Sequence, residues 1–537
     1  MSRFNQGLGY LLLALAVLLS VFQIWQGVTS TISATYFRPA HLTWVMVLIF
    51  LHYPLIKNAG NKQEGSPIMV AGRLLDLGFC ALALFAGFQI IQFDYNDINY
   101  LLFGLANTDL LAGVVFTLLL LEACRRTVGW VMVIIAGIFL AYSAFGDLLP
   151  GTLATKAYSL QELVQFQIFS SNGIFGSALG IAATTVFIFV LFGAFLEVTG
   201  AGKFFIDLAF AIAGKYRGGP VKAAVIASAG LGSISGSAIA NTVTTGSITI
   251  PMMKRLGYKP EQAAGIEAAA STGGQIMPPI MGAGAFVMAQ FTGVPYSDIM
   301  IASIVPALLA LPISVACGGA GIIVGVVGQT GIGLQFTQFV MALSGGYLFT
   351  ALLLISLVAL ILGMGLPVTA AYIVLAVIAV PLLGDFGLPL LTSHLIIFWL
   401  SQTSNVTPPI ALAAFAGAGV ANAKPMKASV EAFKLAAGLF VIPMMMAYTG
   451  LINTSADLLG LVIATLQTVA IIVAMAMTIE GYLLRKLNAR ERLMALISLP
   501  LLLFNPYGGA LPGLMVVTVL VALQWRMEVK QSPRTKS

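Results

Sequence analysis

Charge is scarce in this chain. Asp, Glu, Lys and Arg make up 8% of its 537 residues, where a soluble globular protein carries about 25%. Hydrophobic residues reach 59% and the mean hydropathy is +0.99, which excludes a soluble fold. The apolar–polar alternation of a membrane β-barrel is missing too, leaving helices as the way to cross a bilayer. Cysteine is limited to Cys80, Cys124 and Cys317, scattered in apolar sequence, so neither a disulfide framework nor a thiolate metal site is expected. The three histidines, His41, His52 and His394, stand far apart, and no serine has a candidate base beside it. An enzyme is therefore not expected.

Hydrophobic sequence, by contrast, is abundant. A helix needs roughly 20 apolar residues to cross about 30 Å of hydrocarbon. Such windows fall near 8–26, 41–56, 74–92, 108–123, 128–146, 178–199, 261–290, 336–362, 391–420, 429–451, 457–480 and 508–525. Short basic clusters separate them, among them Lys57, Lys62 and Arg73, Lys254, Arg255 and Lys259, and Lys424 and Lys427. Asp94, Asp97 and Asp109 share a loop without basic residues. Cytoplasmic loops collect positive charge, so the N-terminus is expected in the cytoplasm.

The chain also carries a faint copy of itself, displaced by 130 residues. Pro251, Gly257, Pro278, Pro279, Ile280, Ala283 and Pro295 recur as Pro381, Gly387, Pro408, Pro409, Ile410, Ala413 and Pro425. In each copy an apolar segment is interrupted by small and polar residues. Residues 223–253 begin after Lys222 and end before Lys254, so both ends fall on the basic side and the segment reads as a re-entrant hairpin. Residues 363–381 have no basic flanks and are expected to enter from the other side. Windows 261–290 and 391–420 contain Pro-Pro pairs, which remove backbone donors and interrupt a helix. Paired interrupted segments in two oppositely oriented halves point to the binding site of a secondary transporter. Residues 298–330 are too few for two ordinary spans, and two short or tilted helices turning near Gly318 and Gly319 would satisfy the topology.

The first hairpin tip holds Ser233, Ser235, Ser237, Asn241, Thr242, Thr244 and Thr245. Hydroxyl and carbonyl oxygens suit hard cations, and helix N-termini favour carboxylates. Close packing by small residues is the alternative reading. No Lys or Arg falls in either tip or either break. An anionic substrate would thus need a co-bound cation, which favours cation symport over a channel. Glu267, inside the first broken span, has two readings: a proton or ion site, or a group near the inner interface.

Several stretches together resemble the large permease subunit of tripartite ATP-independent periplasmic (TRAP) transporters: GSISGSAIAN at Gly232–Asn241, GQIMPP at Gly274–Pro279, GMGLPVTAAY at Gly363–Tyr372 and TPP at Thr407–Pro409. GIGL from Gly331 and ALSGG at Ala342–Gly346 look more like the TAXI branch, where small and large membrane subunits are fused. The resemblance covers about 175–450. It implies an all-α polytopic membrane protein and an inverted-repeat elevator transporter with two re-entrant hairpins and two broken helices. It also implies sodium as the coupling ion, a TAXI-type periplasmic solute-binding protein as partner and no other cofactor. Carried over by motif, Na+ would be bound by Ser233, Ser235, Asn241, Gly273 and Gly274, and by Gly363, Gly365, Thr403 and Asn405. Substrate would lie near Ser237, Thr242, Thr369 and Thr407. The 298–330 connection is shorter than is usual in the TAXI branch.

The expected organisation is a small-subunit-like region at 1–150, a first repeat at 151–306, a second, inverted repeat at 307–455 and C-terminal helices at 456–537. The expected function is import of a small carboxylate across a bacterial inner membrane, sodium-coupled and fed by the binding protein. The alternative is a stand-alone sodium/dicarboxylate symporter.

Overall fold

The computed structural model describes residues 2–56, 67–151, 154–214, 219–235, 237–278, 281–310, 332–363, 366, 368–409, 411–452, 458–481, 487–503 and 510–531. Among these residues the regular structure is entirely helical. Five helices in the N-terminal part are long and apolar enough to cross a membrane: Gly7–Thr29, Ala34–His52, Ile68–Ile91, Asn107–Thr127 and Trp130–Leu148. They match the five apolar windows of that region. Several of their rare charges pair with one another inside the bundle. Arg126 donates to Asp76 at 2.6 Å and Glu122 at 2.7 Å, and its guanidinium lies 5.0 Å over the ring of Phe50. The polar stretch that follows forms Leu160–Ile168, whose capping box joins Ser159 and Glu162.

The internal repeat is a structural repeat. Helix limits recur at the same displacement of 130 residues, to within a residue or two. Ala201–Ala213 corresponds to Ile332–Ser344, Gly219–Ser235 to Leu348–Gly363, and Ala238–Arg255 to Val368–Asp385. Pro260–Gly274 corresponds to Leu390–Gln402, and Ala283–Thr292 to Leu412–Ala421. Each copy thus contains a helical hairpin followed by an interrupted helix. The first hairpin has arms Gly219–Ser235 and Ala238–Arg255; the second has arms Leu348–Gly363 and Val368–Asp385.

One expectation is corrected. The window 336–362 is not one helix, because the chain turns through left-handed backbone at Gly345 and Gly346, so its second part forms an arm of the second hairpin. The window 429–451 is present as Pro425–Tyr448, long and apolar enough to cross a membrane, with a turn at Ala436 and Ala437. The turn expected near Gly318 lies outside the described residues.

Packing follows an exchange between the copies. The first half of interrupted helix one, Pro260–Gly274, packs on both arms of hairpin one and on Leu412–Ala421 from copy two. The second half, Ala283–Thr292, packs on Val368–Asp385 and Leu390–Gln402. Interrupted helix two leaves the open end of hairpin two at Leu390 and reaches Ala421, whose carbonyl accepts from Lys254 Nζ at 2.9 Å at the open end of hairpin one. About 30 residues of mostly helical chain, at roughly 1.5 Å each, separate those points. The open ends of the two hairpins thus meet the two ends of interrupted helix two.

Candidate functional site

At each hairpin tip the end of the first arm meets the interruption of its own copy's broken helix. In copy one, Gly232 lies against Gly274. A Cβ on Gly274 would stand 2.0 Å from Ser228 O, so only glycine permits this backbone contact. In copy two, Gly363 lies against Ser404, whose Oγ would stand 2.5 Å from an added Cβ. The first interruption covers Gln275 to Gly282, with Met281 in the left-handed region; the second follows a 3-10 turn at Thr403–Asn405 and contains a cis Pro408–Pro409 bond.

Buried polar atoms collect at these two junctions. Near the first, Asn241 Oδ1, Thr242 Oγ1 and Thr272 Oγ1 are buried without a hydrogen-bond partner among the described residues. Near the second, the same is true of Thr369 Oγ1, both amide atoms of Gln402 and Asn405 Nδ2. Buried groups of this kind usually have partners, and each lacking one costs about 1–3 kcal/mol. They gather at corresponding places in the two copies, beside each helix interruption. The donors at the first junction are hydroxyl, amide and carbonyl oxygens, a set that fits a hard monovalent cation.

The residues singled out by sequence divide as follows. Ser233 is 5% exposed and its hydroxyl donates to Gly230 O at 2.8 Å, leaving its lone pairs free. Asn241 is fully buried and its Nδ2 donates to Ser228 O at 2.9 Å, which leaves the carbonyl oxygen turned elsewhere. Gly273 and Gly274 end the helix half beside them. Thr403 and Thr407 donate to Leu400 O and Thr403 O, at 2.8 and 2.6 Å. Ser237 caps the second arm, accepting from Ala240 N at 3.2 Å. Thr242 packs toward Gly417 of copy two, where an added Cβ would lie 3.2 Å from Thr242 Cγ2. Gly363, Asn405 and Thr369 belong to the second junction. Gly365 and the Ser235 side chain lie outside the described residues.

Sequence reasoning passed over Thr272 and Gln402, which occupy corresponding positions at the two interruptions, as do Gln275 and Asn405. The displacement of 130 could have found them, since Asn405 was already in view. It also underestimated the surroundings of Glu267. This residue is fully buried rather than interfacial. Its Oε1 accepts from Ser228 at 2.8 Å, from Ser271 at 3.3 Å and, very closely, from Thr245; Oε2 accepts closely from Thr249. The cluster ties both arms of hairpin one to the interrupted helix. Through Ser228 and Thr245 it stands one residue away from Asn241.

Histidines take structural positions. His394 Nδ1 pairs with Tyr372 OH at 2.9 Å, and His41 with Gln23, both in the interior.

Comparison with known proteins agrees with this architecture. The family model described as "Tripartite ATP-independent periplasmic transporter, DctM component" matches residues 115–316 and 309–452. The C4-dicarboxylate TRAP transporter large permease protein DctM of Pseudomonas aeruginosa is 39% identical over 121 residues, 22% of this chain and 28% of that protein. Its counterpart in Vibrio cholerae is 36% identical over 125 residues, 23% of this chain and 26% of the relative. The 2,3-diketo-L-gulonate TRAP transporter large permease protein YiaN of Escherichia coli is 31% identical over 121 residues, 22% and 28% of the two chains. The alignments thus span about a quarter of each relative's length. The family match covers most of the chain, including both hairpins and both interrupted helices, and the chain belongs to the DctM-component family of tripartite ATP-independent periplasmic transporters.

Proposed function

We propose that this protein is the membrane permease of a secondary importer for a small organic anion, driven by sodium and supplied by a TAXI-type periplasmic solute-binding protein. The observation that carries the reading is the pair of junctions, one in each copy, where unpartnered buried polar atoms meet a helix interruption. Ser233, Ser235, Asn241, Gly273 and Gly274 are proposed to hold one Na+, and Gly363, Gly365, Thr403 and Asn405 the other. A bound Na+ supplies positive charge that the tips lack, so that a carboxylate can be accepted near Ser237, Thr242, Thr369 and Thr407. Thr272 and Gln402 join these sets. The unit of hairpins and interrupted helices is proposed to move as an elevator against the helices of 1–150 and 456–537. The setting is a bacterial inner membrane, with the N-terminus in the cytoplasm and repeats bounded at 151–306 and 307–455. Names of the relatives, for C4-dicarboxylates and diketogulonate, support a carboxylate cargo.

The test is uptake of radiolabelled succinate, and of a panel of related carboxylates, by proteoliposomes. An inward Na+ gradient should drive accumulation only when the binding protein is present. Asn405→Ala should raise the Na+ needed for half-maximal uptake. Uptake without the partner would establish the stand-alone symporter instead, and accumulation driven by a pH gradient without Na+ would replace sodium with protons.

A further inference from the structure

A cavity with polar groups in its wall lies away from both junctions. It has a volume of about 510 Å³, enough for a small organic acid. Its walls come from the start of Ala34–His52, the π-turn at Ala182–Val186, and the far end of interrupted helix one from Phe286 to Tyr296. None of Ser237, Thr242, Thr369 or Thr407 lines it. Among the described residues, Arg38 is its one charged lining residue.

Arg38 is unusual among the described arginines that are half-buried rather than exposed. Arg73, Arg125 and Arg126 each meet a carboxylate. Arg38 donates once, from Nη1 to Phe175 O at 2.9 Å, and among the described residues no carboxylate pairs with it. Its guanidinium lies flat on the backbone of Gly180, where an added Cβ would stand 2.8 Å from Nε and Nη2. A π-turn opens the same helix one turn further on and brings Thr184 and Thr185 to the wall. Such turns concentrate at functional sites. A charged group at membrane depth is costly without a partner. Here it stands beside a cavity with donor capacity to spare, in the planar fork that matches a carboxylate.

We propose that this cavity is a carboxylate-binding site separate from the hairpin junctions, with Arg38 as its charged anchor. It joins the N-terminal helices to the moving unit, at the end of interrupted helix one remote from the open end of hairpin one. It supplies the fixed positive charge that both tips lack. The inference rests on the proposed import of an organic anion only for where its ligand comes from.

The experiment reads the cavity itself. Gln290→Cys is introduced at its exposed rim in the full-length protein carrying Cys317→Ser; Cys80 and Cys124 are buried. Labelling by a membrane-impermeant maleimide is then followed with acetate, succinate or citrate present. At least one of them should slow labelling. Arg38→Met should raise the protecting concentration about 10- to 100-fold, the usual weight of a charge-assisted contact, with Arg38→Lys between the two. Melting temperatures show that each variant is folded. Absence of protection by all three acids, or equal protection in Arg38→Met, overturns the proposal. Protection by purified binding protein alone overturns it also, making Arg38 a docking contact for a protein carboxylate. Protection that persists while sodium-driven uptake is absent would leave this site standing and remove the importer reading.

Discussion

Deleting the Glu267 carboxylate should weaken the molecule by an amount that its neighbours decide. Four hydroxyls donate to it, and bonds to a charged acceptor are worth about 1.5–3 kcal/mol each. Simple addition overstates the loss, because two donors have a second acceptor at hand. Thr245 Oγ1 also reaches Asn241 O at 2.7 Å, and Thr249 Oγ1 reaches Thr245 O at 3.0 Å. Ser228 and Ser271 lose most, since they keep only hydroxyl neighbours, Thr245 Oγ1 at 3.1 Å from Ser228 and each other at 3.4 Å. Two bonds give about 3–6 kcal/mol for Glu267→Ala. At about 2–4 °C per kcal/mol for a unit of this size, the melting temperature in detergent should fall by about 10 °C. Glu267→Gln keeps an acceptor toward Ser228, Thr245 and Ser271 and turns an amide donor toward Thr249, whose own proton can go to Thr245 O. Its fall should be less than half as large, as read by differential scanning fluorimetry. A higher melting temperature in Glu267→Gln would refute the reasoning, since it would mean that the hydroxyls do not compensate burial of the carboxylate. A fall below about 3 °C in Glu267→Ala would refute it as well.

Other outcomes follow from single contacts. Gly274→Ala drives a Cβ to 2.0 Å from Ser228 O and should abolish sodium-driven uptake, whereas Gly419→Ala, with nothing within 4 Å, should leave it intact. Arg126→Met leaves Asp76, whose side chain is 2% exposed, with only the distant Arg73 at 4.0 Å as a charged neighbour and should destabilise by about 3–5 kcal/mol; adding Asp76→Asn should recover part of this in the same melting assay. The Lys156 ammonium and the Ser159 amide and hydroxyl depress the Glu162 carboxyl from 4.5 to about 2. The unfolded chain thus binds the proton first, so this capping contribution is complete above pH 4.5 and is lost as pH falls toward 2. Hydrogen exchange in Leu160–Ile168, corrected for intrinsic rates, should quicken across that window and nowhere above it.

The sequence was most legible where backbone chemistry leaves a mark that survives divergence. Pro-Pro pairs and glycine clusters announce interruptions whatever surrounds them, and the 130-residue displacement located both hairpins and both broken helices. Proline was less reliable alone: Pro251 and Pro381 repeat faithfully yet sit inside unbroken arms. The run 336–362 was misleading because hydropathy does not register a turn made of Gly345 and Gly346 in the middle of apolar sequence. The cavity beside Arg38 was not legible at all. Its walls come from residues 26–38, 177–185 and 286–296, and only the packing of separate helices brings them together. Glu267 was visible as an acid but its ring of hydroxyls was not, since Ser228, Thr245 and Thr249 come from two other helices.

The second copy shows how the same fold manages without that ring. At the positions corresponding to Ser228, Thr245, Thr249 and Glu267 stand Val358, Leu375, Ala379 and Ile397, while Ser271 keeps a hydroxyl counterpart in Ser401, which donates to Phe398 O at 2.8 Å. Leu375, Ala379 and Ile397 are buried, and Val358 packs against the core. One half of the molecule thus fills this place with a polar network and the other with hydrocarbon. Removing one partner of a buried network is expensive, but exchanging all partners for apolar groups of similar shape can be nearly neutral. Transplanting the whole set, as Ser228→Val, Thr245→Leu, Thr249→Ala and Glu267→Ile together, should therefore restore much of the melting temperature lost in Glu267→Ala. A quadruple variant less stable than Glu267→Ala would show that the two copies differ in packing around this position and that the correspondence is one of backbone alone. If stability returns while sodium-driven uptake does not, the polar network in copy one serves transport rather than folding, and the asymmetry between the halves is functional.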